Sequence, residues 1–482
     1  MRSSVSFVLD GRVVTESFST KAVTPTTTLL HYLRNLPTHK GVKEGCAEGD
    51  CGACTIVLGE CQPNDTIRYT TVDSCLVFLP MIHGRHVVTV ENLRANRLHP
   101  VQQAMIDCAG SQCGFCTPGI VMSLFALYKN HRHPERQEID DALTGNLCRC
   151  TGYRPIVEAA AKACADDNAD TFTEHEASIV SLLRSIPHSS GTFQTAQQTY
   201  FQPTTLGEAL EFKRSHPDAV VLCGATDVAL RVTKAHELLH VVLDLSRVVE
   251  MQHVIDEGDR IRIGAGVTLS ELRASLASMF PALVATMNVF GSLQIRNLAT
   301  LGGNLGSASP IGDMISALIP HRASVVLHNH ERTRTIPLDE FIIGYRKTVR
   351  QPDELITAIV LPKPEAHTII KWYKVSKRKD LDISTVSAGF RLNLDKAGRV
   401  HDVVLAYGGM AERVKRSSNA ERFLKGKLWS RETVEQAMEV VGSEFTPLTD
   451  VRGSAAFRTI AAENLLLKFW SETQPGSDGQ NG

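Results

Sequence analysis

The sequence predicts a multidomain chain of mixed α+β class, on three observations. Short strands and one helix alternate between residues 5 and 58. From Pro100 to Asp166 the apolar residues fall at helical spacing instead. From Phe201 onward strands and helices alternate again, joined by turns rich in small residues. A length of 482 residues is enough for three or four domains, and 43% hydrophobic residues are enough for their cores. A net charge of −1 with no basic stripe argues against nucleic acid as a partner. Met1 to Gly11 lacks the apolar run of a signal peptide, and no run is long enough to cross a membrane, so a cytoplasmic chain is expected. Twelve cysteines in such a chain point to a reducing compartment in which thiolates hold metal rather than form disulfides.

In chain order, Val5 to Leu9 and Arg12 to Thr15 form a hairpin on the turn Asp10-Gly11. Thr27 or Thr28 caps a helix whose apolar face is Leu29, Leu30, Leu33 and Leu36. Then comes Cys46-Ala47-Glu48-Gly49-Asp50-Cys51-Gly52-Ala53-Cys54, ahead of a strand from Thr55 to Leu58. The spacing C-x4-C-x2-C is that of a plant-type [2Fe–2S] site, which needs a fourth thiolate further on. Gly49 and Gly52 allow the positive φ that turns backbone N–H groups toward sulfur. A zinc site would more usually pair its cysteines as two C-x2-C knuckles. The fourth ligand is Cys61 or Cys75. Cys75 is preferred, because Cys61 lies on the far side of the strand from Cys54 while Cys75 can return on a neighbouring one. Strand pair, helix, cysteine loop and strand resemble the β-grasp fold of plant-type ferredoxins.

The helical stretch has segments at Val101–Met105, Ile120–Tyr128, Glu138–Leu143 and Pro155–Ala163. Between them sit Gln112-Cys113-Gly114-Phe115-Cys116-Thr117-Pro118-Gly119 and Gly145-Asn146-Leu147-Cys148-Arg149-Cys150-Thr151-Gly152-Tyr153-Arg154. C-x2-C plus C-x-C supplies four thiolates for a second [2Fe–2S] cluster, or, read alone, for a structural zinc. Pro118 is placed to begin a helix.

These three cysteine motifs resemble the iron–sulfur region of the xanthine dehydrogenase family of molybdenum hydroxylases. The resemblance implies that Cys46, Cys51, Cys54 and Cys75 hold one cluster and that Cys113, Cys116, Cys148 and Cys150 hold the other. It implies that Gln112 docks against the pterin of a molybdenum cofactor, where the plainer role is to satisfy a nearby backbone group. Cys61, Cys108, Cys164 and Cys223 are left outside the clusters, and most free cysteines are simply small buried hydrophobes.

Residues 167–198 are polar, with one apolar patch at Ile179 to Ile186, and read as a linker. Beyond it, Val220-Val221-Leu222-Cys223-Gly224-Ala225-Thr226-Asp227 is a strand entering a tight turn, and Thr300-Leu301-Gly302-Gly303-Asn304-Leu305 is a second glycine loop, followed by Ser307 to Asp313. Small residues let backbone approach a pyrophosphate, although neither loop has the Rossmann pattern and each alone suits an ordinary turn. Together they resemble the flavin domain of the same family, a vanillyl-alcohol-oxidase type of FAD fold. The resemblance implies FAD contacts at Val220, Val221, Leu222, Cys223, Gly224, Ala225, Thr226 and Asp227, at Phe290, at Thr300, Leu301, Gly302, Gly303 and Asn304, and at Asp313, Ile356 and Lys374. It places Val375 to Ile383, with the charges Lys377-Arg378-Lys379-Asp380, beside the flavin and an NAD⁺ pocket, where a solvated turn is the alternative. After Leu361-Pro362 a smaller α/β unit has strands near Ser387–Leu394 and Val403–Tyr407 and helices near Arg431–Val441 and Ala456–Trp470.

The domains expected are therefore a ferredoxin-like domain (1–92), a four-helix cluster domain (93–166), a linker (167–198), an FAD-binding domain (199–364), a C-terminal flavoprotein subdomain (365–472) and a disordered tail (473–482). The family resemblance implies an electron-transfer chain, with two clusters and FAD linking a molybdopterin-bearing large subunit to NAD⁺ as that partner oxidises hypoxanthine or xanthine. No residue on this chain is expected to act on the purine, and a dimer of heterodimers is the expected assembly. An aldehyde oxidase, a carbon monoxide dehydrogenase or an aza-arene hydroxylase is the alternative within enzymes. A metal-bound scaffold or sensor without turnover is the alternative outside them.

Overall fold

Asp10 and Gly11 both take positive φ, 52° and 69°, which matches the twist of a two-residue hairpin turn between Ser4–Leu9 and Arg12–Ser17. The computed structural model describes residues 2–18, 23–94, 96–165 and 170–474. The chain divides into two units, Met1–Val248 with Gly291–Ala299 and Val249–Phe290 with Thr300–Gly482.

In the first unit the hairpin joins a five-stranded sheet in the order Arg12–Ser17, Ser4–Leu9, His86–Val88, Thr55–Cys61, Ile67–Asp73. Ser4–Leu9 and His86–Val88 run parallel, and the other neighbours run antiparallel. Helix Leu29–Asn35 starts at Thr28, whose hydroxyl accepts from the His31 N–H at 3.2 Å, and it buries Leu29, Leu30 and Leu33. The four expected helices form at Pro100–Asp107, Thr117–Asn130, Arg136–Leu143 and Arg154–Ala163, and Pro118 stands in the first turn of the second. A second sheet holds Gly191–Gln194, Thr199–Gln202, Val241–Asp244 and Val220–Leu222 in that order.

The segment read as a linker has structure of its own. It is helical over Thr171–Glu174 and Glu176–Arg184, and Gly191–Gln194 is a strand. Its apolar patch is not incidental: Ile179, Val180, Leu183 and Ile186 are all buried in the core of the helical domain. Phe172 packs against Phe125 with ring centres 4.8 Å apart and against Tyr69 at 6.1 Å. The carboxylate of Asp170 accepts from the Thr173 N–H at 2.7 Å and pairs with His99 and Lys129, both at 3.0 Å. Polar composition misled here because the polar residues are caps and ion-pair partners that hold an apolar face in place. Residues 166–169 and 475–482, which include the expected domain boundary at 166 and most of the expected tail, lie outside the described residues.

The second unit has a five-stranded antiparallel sheet in the order Val254–Asp256, Arg260–Gly264, Leu355–Pro362, Ser324–His328, Thr333–Pro337. A separate antiparallel sheet holds Ile369–Val375, Val386–Leu394, Val400–Gly408 and Lys415–Arg416. Helices Ser418–Leu424, Arg431–Glu444 and Ala455–Glu472 follow, and a shared core contains Phe390, Tyr407, Leu424, Val441 and Phe469. Among the described residues no helix is long and apolar enough to cross a membrane.

Candidate cofactor sites

The first cysteine loop is built by backbone conformations that side chains resist. Ala47, Gly49 and Gly52 have φ of 55°, 76° and 66°. The loop thereby turns the Asp50 N–H onto the Cys46 sulfur at 3.3 Å. The strand that follows pairs Thr55 with Asp73, so Cys54 and Cys75 meet at one end of the pairing, Sγ to Sγ at 3.4 Å. Cys61 pairs with Ile67 at the other end, about 20 Å away at strand rise. Cys46 and Cys51 form a second sulfur pair by a side-chain hydrogen bond. That bond, with the N–H groups of Glu48, Asp50 and Cys51, lowers the Cys46 thiol to about 5 against the opposing effect of burial. Asp73 is fully buried beside the pair, receives the Cys54 thiol at 3.6 Å, and is pushed up to about 8 by burial and then by the charge of Cys46.

The second set repeats the pairing in the same unit. Cys113 is hydrogen-bonded to Cys150 and Cys116 to Cys148, all four as free thiols. Thr151 places its hydroxyl 3.2 Å from the Cys148 sulfur, and the Tyr153 hydroxyl accepts from the Cys148 N–H at 2.8 Å. Gly114 at φ 82° and Gly152 at 66° turn these loops. Gln112, Cys113, Phe115, Leu147, Arg149 and Cys150 are exposed.

This donor chemistry fits two binuclear clusters. A [2Fe–2S] cluster takes four cysteine thiolates, shared between its two irons. The eight sulfurs come two by two, as 46/51, 54/75, 113/150 and 116/148. Among the described residues no three His, Cys, Asp or Glu side chains converge as the ligands of one ion do.

The expected flavin residues fall in both units. In the first, strand Val220–Leu222 runs into a turn in which Ala225, not Gly224, takes positive φ (60°). Gly224 is required for a different reason, since a Cβ there would lie 1.7 Å from the Leu298 carbonyl oxygen. In the second unit, the stretch read as a glycine loop is the start of helix Leu301–Ser307. Thr300 caps it and accepts from the Gly303 N–H at 3.1 Å. Gly302 is locked against Ala265, whereas a Cβ on Gly303 would meet only the Thr300 hydroxyl, at 3.0 Å. Asn304 Oδ1 is buried with no hydrogen-bond partner. An open glycine beside an orphaned buried acceptor is what a bound polar group would use, and the site fits FAD on that ground. Ile356, on strand Leu355–Pro362, lies against this helix, its Cδ1 3.3 Å from where a Cβ on Gly306 would stand.

A buried ion pair marks the rest of the expected set. Lys374 Nζ sits 3.0 Å from Asp313 Oδ2 and 3.2 Å from the carbonyl of Val289, next to Phe290. Asp313 Oδ1 accepts from the Ser384 hydroxyl at 2.6 Å. Burial raises the Asp313 carboxyl in spite of these partners. Ser384 was not legible in the sequence, since nothing in its neighbourhood marks it. The 375–383 loop closes on itself: the N–H groups of Lys377 and Arg378 both donate to Asp382, and the Lys377 ammonium reaches the Val451 carbonyl at 2.9 Å.

Four family models match the chain in order. They are a 2Fe-2S iron-sulfur cluster binding domain (residues 12–76), a [2Fe-2S] binding domain (89–161), an FAD binding domain in molybdopterin dehydrogenase (192–364) and a CO dehydrogenase flavoprotein C-terminal domain (371–473). Xanthine dehydrogenase of Emericella nidulans is 31% identical over 97% of this chain and 38% of its own length. Xanthine dehydrogenase/oxidase of Gallus gallus is 32% identical over 99% of this chain and 40% of its own length. The chain thus spans about two fifths of the curated relatives it matches. A solved carbon monoxide dehydrogenase chain from Hydrogenophaga pseudoflava is similar in fold, with a TM-score of 0.54 at 24% identity over 57% of this chain and 96% of that one. The chain thus carries matches to two iron–sulfur domains, an FAD-binding domain of the molybdopterin dehydrogenase type and a flavoprotein C-terminal domain, in this order, and is similar over nearly all of its length to curated xanthine dehydrogenases.

Proposed function

We propose that this chain is the iron–sulfur and FAD electron-transfer part of a xanthine dehydrogenase, working in the cytoplasm with a molybdenum-binding large subunit, in a dimer of heterodimers, and with NAD⁺ as acceptor. The observation that carries the reading is the pairing of eight cysteine sulfurs two by two within one unit, in a chain whose matched relatives are named xanthine dehydrogenases. When bound, the clusters supply one-electron steps and the flavin joins them to two-electron hydride chemistry.

The chain's own residues hold and tune these groups. Cys46, Cys51, Cys54 and Cys75 are the ligands of one cluster, and Cys113, Cys116, Cys148 and Cys150 of the other. Backbone N–H groups aimed at sulfur stabilise the thiolate form, as the Asp50 N–H does at Cys46. FAD contacts come from Val220–Asp227, Phe290, Thr300–Asn304, Asp313, Ile356 and Lys374. Gly303 leaves backbone accessible to phosphate, Asn304 Oδ1 offers a free acceptor, and the Lys374–Asp313 pair holds fixed charge in a dry wall. Gln112 and Arg149, exposed beside the second cysteine set, face the molybdenum partner.

Purified with its cofactors, the chain should oxidise NADH with an artificial dye and fail to oxidise xanthine. Adding the molybdenum chain should restore xanthine-dependent NAD⁺ reduction. Xanthine oxidation without the partner contradicts this reading.

A further inference from the structure

A backbone hydrogen bond joins the two cysteine loops directly. The N–H of Leu147, the residue before Cys148, donates to the carbonyl of Cys51 at 3.0 Å. Around that contact the backbones touch without side-chain slack. A Cβ on Gly52 would lie 2.1 Å from the Gly145 carbonyl oxygen, and one on Gly119 would lie 2.1 Å from that of Gly52.

The side chain that fills the remaining space comes from elsewhere in the sequence. Gln294 is fully buried and belongs to Gly291–Ala299, a segment within the FAD-binding match that packs as part of the first unit. The two N–H groups of its amide are shared among three acceptors: Thr55 Oγ1 at 3.3 Å, Ser123 Oγ at 3.2 Å and Asn146 Oδ1 at 3.1 Å. Thr55 follows the first cysteine loop, Ser123 is on the helix after Cys116, and Asn146 lies two residues before Cys148. Asn146 completes the network. Its own amide donates to the Gly52 carbonyl at 3.1 Å and to Thr55 Oγ1 at 3.2 Å, and it accepts from Ser123 at 2.6 Å. The other amide atom, Gln294 Oε1, is buried without a partner and presses on Gly145, where a Cβ would come within 1.9 Å of it. Arg296 and Asn297 anchor the same segment, by an ion pair to Asp141 and by a 2.9 Å bond to the Thr71 carbonyl.

We propose that Gln294 is a positioning residue for electron exchange between the two cluster sites, which holds the Cys51–Leu147 hydrogen bond at its working length. The proposal rests on the electron-transfer reading above. With both clusters bound, one electron would pass from the reduced site to the oxidised one, oxidising the first as it reduces the second, and no bond would be made or broken. A buried polar network of this kind is stiff only when complete, and removing its shared donor takes one bond each from Thr55, Ser123 and Asn146 and loosens the brace on the 145–148 loop.

The test uses the holoprotein with Gln294→Leu, which removes both donors, and the isosteric Gln294→Glu, which keeps the shape and leaves at most one. After flash photoreduction by one electron, equilibration between the two cluster signals is followed by freeze-quench EPR. Iron content is measured in parallel. Both variants should keep both signals and slow the equilibration roughly tenfold or more, as displacement of a reacting group does elsewhere. Asn297→Ala, which loosens the same segment away from the junction, should leave the rate unchanged. Both signals with unchanged equilibration in either Gln294 variant overturns the proposal, as does equal slowing by Asn297→Ala. A wild-type chain without two cluster signals overturns instead the reading on which it rests.

Discussion

Cys54 and Cys75 face each other at 3.4 Å across the end of the Thr55–Cys61/Ile67–Asp73 pairing, while Cys61 is held at the opposite end of the same ladder. Strand register, not sequence proximity, decides which cysteine can close the first set. Cys75→Ser should therefore abolish one of two EPR signals of the reduced protein, and Cys61→Ser should leave both. Loss of a signal in Cys61→Ser with retention in Cys75→Ser would mean that the fourth ligand is misassigned.

Gly303 and Gly224 are both small for a reason, but not for the same one. A side chain on Gly303 would meet only the Thr300 hydroxyl and no backbone, so Gly303→Val should fold, keep its iron and lose most of its FAD, measured as the flavin-to-iron ratio. Gly224 abuts the Leu298 carbonyl, so Gly224→Ala should destabilise the fold itself by several kcal/mol, read as a lower urea midpoint.

His86 is buried among Tyr69 and Phe172, and burial lowers its pKa to about 4. The unfolded chain therefore takes up a proton near pH 6.5 that the folded chain refuses until about 4, and stability falls as pH falls through that window. His86→Phe keeps an aromatic ring in the box and removes the proton. It should recover of order 2 kcal/mol at pH 5 relative to wild type while changing little at pH 8. Urea titrations at the two pH values measure it, and parallel losses in both proteins would contradict it.

The Lys374–Asp313 pair gives a pH effect of the opposite sign. Burial raises the Asp313 carboxyl even with its lysine present. Lys374→Met leaves that carboxylate buried and unpaired, at a cost of about 3 kcal/mol. The carboxyl can escape the cost by binding a proton, so the destabilisation should be smaller at pH 5 than at pH 8. An equal loss at both values would show that Asp313 finds another partner.

The local fold was readable because local chemistry fixes it. Asp10-Gly11 needs two positive φ angles and takes them, Thr28 caps its helix, and Pro118 opens another. The eight paired cysteines all fell within the three motifs plus Cys75. Three features were not readable, each for a physical reason. Residues 170–186 looked like a linker because their polar atoms are satisfied by distant groups such as His99 and Lys129, which no window of sequence contains. Thr300–Leu305 looked like a loop because glycine disfavours helix, yet Gly302 is demanded by close packing on Ala265 and the Thr300 cap offsets the cost. Gln294 gave no signal at all, since its partners lie 171 and 239 residues away at Ser123 and Thr55.

The central claim is that this chain carries two binuclear clusters and one flavin, and direct analysis of the anaerobically purified protein tests it. The account predicts four irons, four acid-labile sulfides and one FAD per chain, with two distinct EPR signals on reduction. Two irons, a single signal, or stoichiometric zinc in place of iron would contradict it.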